Sequence, residues 1–138
     1  MFNSQRAVAA ILVLTWLPAL VLAAGRDIQL ERKTSAGRET AIRGFAEFDS
    51  SCRLRNVPRV NAVQPPEHGT LETRPGVVTV GANWVGDTHC EGTKLDGMFL
   101  YYKPADGYVG ADRFVFEVDY MRGGRVRATV DIDVAPAR

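Results

Sequence analysis

Arg125 to Val134 reads R-V-R-A-T-V-D-I-D-V, and its alternation decides the fold class. Val126, Ala128, Val130, Ile132 and Val134 fall on one side of an extended chain. Arg125, Arg127, Thr129, Asp131 and Asp133 fall on the other. A period of two is that of a half-buried strand, because successive side chains of a pleated chain point to opposite faces. Just upstream, Arg113 to Tyr120 repeats the pattern with Phe114, Phe116, Val118 and Tyr120 on the apolar side. The short Arg122-Gly123-Gly124 connection makes the two runs a hairpin.

Working outward, the same kind of signal continues towards the N-terminus. Met98 to Lys103, Val77 to Val80, Thr70 to Thr73 and Val60 to Val63 are four further short strands. Pro58, Pro65-Pro66, Pro75-Gly76 and Pro104 punctuate them. Ile28 to Thr34 and Thr40 to Phe48 flank a Ser35-Ala36-Gly37 turn, and Gly44 within the second marks a bulge or a close approach. No sustained helical stripe occurs after residue 24. Seven to eight short strands at turn-limited spacing predict an all-β sandwich, in which each strand hides one face in a shared core. The connection from Gly81 to Gly97 is long and polar, and long connections are often functional.

The first 23 residues have a different character. A short positive start ending at Arg6 precedes an apolar run from Ala7 to Leu22, with Val21 and Ala23 at positions −3 and −1 of a cut before Ala24. That is the layout of a secretory signal peptide. An uncleaved anchor is the alternative reading, although Pro18 would interrupt a spanning helix. The expected organisation is therefore residues 1–23 as signal and 24–138 as one domain. About 115 residues is an ordinary size for a single core.

Arg6 is one of 17 basic residues, and none of the 16 acidic ones precedes residue 24, so the exported part is balanced in charge. With no basic run, neither nucleic acid nor an anionic membrane is an expected partner. After cleavage no membrane span is expected. The two cysteines, Cys52 and Cys90, both lie in the exported part. In an oxidising compartment they are expected to pair, closing a loop and adding roughly 4 kcal/mol on a chain-entropy estimate.

Tyr102 to Val118 reads Y-K-P-A-D-G-Y-V-G-A-D-R-F-V-F-E-V, and Pro66 to Thr70 reads P-E-H-G-T. Together they resemble the corner and turn signatures of bacterial immunoglobulin-like, cadherin-like tandem-repeat domains. The resemblance runs from about Val60 to Val134 and implies an immunoglobulin-like sandwich. In physical terms, Tyr102, Phe114 and Phe116 have the spacing to enter one core. Pro104 ends a strand, and Gly107 and Gly110 permit a tight corner. Asp112 is placed to accept backbone N–H bonds, Tyr108 to lie over the corner, and His68 with Gly69 to form the facing turn. Some cadherin-like modules bind calcium, but Tyr120 stands where those repeats often carry an aspartate, so calcium is not carried over. Trp84 lies six residues before Cys90, unlike the arrangement in antibody domains.

Catalytic and metal signatures are weak. Ser50 or Ser51, His89 and Asp87 could be assembled into a Ser-His-Asp grouping, but no nucleophile-elbow motif is present. His68 and His89 lack metal-site spacing, and no cofactor or metal is expected. Trp84, Tyr101, His89 and Asp87 form the candidate binding face, Tyr101 because it alternates with Tyr102. The expected role is a non-enzymatic binding module of the bacterial envelope, periplasmic or secreted, with a protein or glycan partner. A small exported hydrolase or metal-dependent protein using residues 81–97, or a structural accessory subunit of a surface assembly, are the alternatives.

Overall fold

The computed structural model describes residues 26–82 and 88–138, and the signal-peptide expectation for residues 1–23 lies outside them. Nine strands follow in chain order: β1 Arg26–Ser35, β2 Thr40–Phe45, β3 Glu47–Phe48, β4 Leu54–Asn56, β5 Arg59–Gln64, β6 Gly69–Thr79, β7 Lys94–Pro104, β8 Gly110–Tyr120 and β9 Gly124–Ala135. Among the described residues the one helical element is a 3₁₀ turn, Thr88–Cys90. One sheet has the order β1-β9-β8-β5, a second β2-β7-β6, and β3 with β4 makes a two-stranded flap.

The hairpin read from the C-terminal alternation is β8–β9, in register from Gly110↔Val134 to Tyr120↔Gly124. Its apolar face is the floor of the main core. Phe114, Phe116, Ala128 and Val130 are fully buried, and Ile42, Phe45, Leu100 and Tyr102 of the second sheet meet them. The Phe45 and Phe116 rings meet edge-on at 5.6 Å, and Tyr102 stacks on Phe114 at 5.7 Å. Two sheets therefore share one interior, each contributing alternate residues.

Several boundaries differ from the sequence expectation. The strand count is nine among the described residues rather than seven to eight. Ala46 divides the expected Thr40–Phe48 strand into β2 and β3, and β4 had no sequence signal. The two strands flanking the Ser35–Gly37 turn join different sheets: β1 runs parallel to β9, from Arg26↔Val126 to Ser35↔Ala135, while β2 pairs with β7. Thr70–Thr73 and Val77–Val80 merge into the single strand β6, which runs through Pro75. This is possible because β6 is an edge strand, where a missing N–H can face away from the ladder. The polar connection is also shorter than Gly81 to Gly97, since β7 begins at Lys94.

A second apolar cluster lies on the opposite face of the β2-β7-β6 sheet. Leu95 and Phe99 of β7 alternate with core-facing Leu100 and Tyr102, and they gather Ala46, Val78, Val80 and Cys90. The Phe99 ring lies over the sheet where Gly44 and Gly76 carry no Cβ; one added at Gly44 would stand 2.8 Å from the ring. Cys52 and Cys90 are joined, 38 residues apart, and the disulfide fastens the β3–β4 flap over this cluster.

Candidate functional site

The corner carried by Asp112 is a densely hydrogen-bonded polar arrangement. Its carboxylate is buried and accepts four hydrogen bonds: from the backbone N–H of Glu67 (3.1 Å), His68 (3.0 Å) and Arg113 (2.9 Å), and from the Tyr102 hydroxyl (2.9 Å). A buried carboxylate is tolerated only when its oxygens are satisfied in this way. Burial, and then the hydrogen bond to Asp112, push the Tyr102 phenol well above its ordinary range. The His68 ring stacks flat on Tyr108 at 4.1 Å, and the Tyr108 hydroxyl donates to the Ala111 carbonyl. Gly69 is required here: a Cβ would stand 2.5 Å from the Tyr102 ring. Gly107 and Gly110 have φ of +74° and +136°, a region costly for other residues. This corner joins β6, β7 and β8, and its polar groups are turned inward to one another.

The binding face expected from sequence divides. Trp84 and Asp87 lie outside the described residues. His89 is exposed on the 3₁₀ turn, with Nε2 2.7 Å from the Ser50 carbonyl oxygen and 3.6 Å from Cys90 Sγ. The first distance makes Nε2 the donor, so that nitrogen is not poised to take a proton from Ser50. Ser51 directs its backbone N–H to Asp49. Tyr101 stands seven residues along β7 from its start, roughly 20 Å at strand rise, and so belongs to a separate patch. It is half-buried beneath the Arg74 guanidinium, 4.3 Å from the ring centroid, and Arg74 is pinned by Glu39 and Glu72. That residue pair holds Arg74 across the face that Tyr101 would offer.

Cys52, His89 and Cys90 bring three metal-ligand atoms within 4.8 Å. The two sulfurs are bonded to each other, and a disulfide is not a thiolate donor set. These three residues therefore do not fit a metal.

A site that sequence reasoning missed lies at the edge of the sandwich where β1 and β2, outer strands of their sheets, meet the β8–β9 turn. A cleft of about 650 Å³ opens there, lined by Arg26, Arg43, Arg55 and Arg122 together with Glu47 and Asp49. Both carboxylates are engaged by the protein itself. Glu47 accepts the backbone N–H groups of Met121 (3.1 Å), Arg122 (2.9 Å) and Gly123 (3.2 Å), which fixes the β8–β9 turn against β3. Asp49 accepts those of Ser51 and Arg53, and these bonds lower its carboxyl below the ordinary aspartate value. Arg26 and Arg122 make no ion pair among the described residues. Tyr120 adds a phenol, which burial pushes above its ordinary value. Ile28, Phe45, Phe48 and Val126 supply an apolar wall.

No family model and no curated protein matches this chain. Its function is therefore read from the cleft.

The four arginines come from β1, β2, β4 and the β8–β9 turn, separated by as many as 96 positions from Arg26 to Arg122. No spacing rule links them, and the balanced overall charge concealed their convergence. The one sequence-level clue is that a chain lacking a basic run can still have a basic patch in space.

Proposed function

We propose that this protein is an exported, non-enzymatic binding module of immunoglobulin-like architecture, and that its ligand seats in the cleft between β1, β2 and the β8–β9 turn. The observation that carries the reading is the cleft itself: a preformed concavity of about 650 Å³ whose walls are strands and whose carboxylates are already satisfied. Binding sites for small molecules are concave, of several hundred Å³, and mix apolar walls with a few placed polar groups. Support for export comes from the disulfide, which belongs to oxidising compartments, and from the signal-like N-terminal sequence. Support for the architecture comes from two sheets over one core and from the Tyr102–Asp112 corner.

The reading is tested by offering a small-molecule extract of bacterial envelopes to wild-type protein and to Ile28→Trp, a substitution that fills the cleft from an edge strand. Bound species are then identified by native mass spectrometry. Retention by wild-type and loss in Ile28→Trp is the expected result. Equal retention by both, or none by wild-type, overturns it, as does a hydrolytic activity abolished by His89→Ala.

A further inference from the structure

We propose that the cleft selects small anionic amphiphiles, molecules carrying a carboxylate or phosphate headgroup on an apolar body, with Arg26 and Arg122 receiving the headgroup. This rests on the binding reading above and specifies its ligand.

The argument begins with charge. Four arginines line the cleft against two carboxylates, and both are already engaged: Glu47 by backbone amides, and Asp49 by backbone amides on Oδ1 and by the Arg53 guanidinium on Oδ2. A cationic ligand would find the four guanidiniums repulsive and the carboxylates already occupied. An anionic one finds Arg26 and Arg122, neither ion-paired among the described residues. Guanidinium presents a planar fork of donors suited to carboxylate and phosphate oxygens. The Tyr120 phenol, protonated at neutral pH as tyrosines ordinarily are, supplies one more donor within the cleft.

Apolar surface decides the rest of the ligand. Ile28, Phe45, Phe48 and Val126 line the same cavity; Phe45 belongs to the main core, Ile28 packs against it, and Phe48 packs on the second cluster. A bare inorganic anion would leave this wall in contact with water, whereas an acyl or aromatic body would cover it. A volume of about 650 Å³ accommodates a single chain of a dozen carbons with its headgroup.

Three ligands separate the contributions: dodecanoate, dodecyl phosphate and dodecyltrimethylammonium, each below its micelle concentration and titrated calorimetrically into the disulfide-bonded protein. Inorganic phosphate serves as the headgroup without a body. Wild-type protein is expected to bind at least one of the two anions at least about tenfold more tightly than the cation or inorganic phosphate. Arg26→Gln combined with Arg122→Gln is expected to weaken that anion about tenfold. Both side chains are exposed, and Gln at 122 keeps the N–H that Glu47 accepts, so the variant should retain the wild-type melting temperature. Dodecyl phosphate binding without dodecanoate, or the reverse, identifies which headgroup the guanidiniums favour. Equal affinity for anion and cation overturns the inference, as does unchanged affinity in the arginine variant. If Ile28→Trp abolishes retention of envelope molecules while the arginine variant retains them, the cleft binds but the anion preference is wrong. If neither variant matters, the binding site itself is misplaced.

Discussion

Asp112 shows how one side chain can hold three strands in place. Its four accepted hydrogen bonds satisfy donors on the turn before β6, on β7 and on β8. Asp112→Ala strands those donors in a buried site and is expected to cost about 3 kcal/mol in urea unfolding, whereas Tyr102→Phe, which removes one donor and leaves the carboxylate three others, should cost about 1 kcal/mol. Gly69→Ala is expected to be destabilising by about 2 kcal/mol, since its Cβ would press on the Tyr102 ring and the Lys103 carbonyl oxygen, 2.6 Å away. The backbone bonds of Asp112 were legible in sequence because a turn aspartate beside glycines has few physical uses, whereas the Tyr102 hydroxyl bond and the close approach at Gly69 were not. Glu47 was not legible. Its three amide partners lie 74 to 76 positions away, and only the folded chain brings the β8–β9 turn to it.

At the level of strands, alternation located β8 and β9 because each is half-buried along its whole length, and it failed where burial is incomplete. β4, only three residues long, has no apolar stripe and was missed, whereas β5, although exposed along most of its length, was located as Val60 to Val63 between its flanking prolines. Pro75 looked like a break and is instead accommodated at the edge of a sheet. The outer face of that sheet carries the Glu39–Arg74–Glu72 group. Hydrogen bonds from Arg74 hold both glutamates below their ordinary value of 4.5. Because their folded values are lowered, the stability they contribute is present above pH 4.5 and is lost as pH falls through the lowered values. Thermal melts of wild-type and Arg74→Met should therefore differ most at neutral pH and converge as pH falls through those lowered values. A residual difference from the Tyr101 contact should remain. Hydrogen exchange should be slowest in β8 and β9, which are interior strands, and faster in β1, β5 and β6, which are edges.

For the whole molecule, the disulfide acts on the flap and the second cluster rather than on the main core. Cys52→Ala with Cys90→Ala is expected to lower unfolding free energy by about 4 kcal/mol on the chain-entropy estimate for a 38-residue separation. Urea titration of the double variant measures it, and spectra reporting Phe114 and Phe116 should remain native below the transition. The all-β architecture was readable from patterning alone. The cleft was not, because it is made by four segments that sequence distance keeps apart and topology brings together. The parallel pairing of β1 with β9 has a mechanical meaning. Arg26 lies at one end of that ladder and Ala135 at the other. Tension applied through the two ends of the domain would load all its rungs at once, in shear, instead of peeling them one by one. A domain so built should resist stretching in a force spectrometer more strongly when held by residues 26 and 135 than by two points on the β8–β9 hairpin.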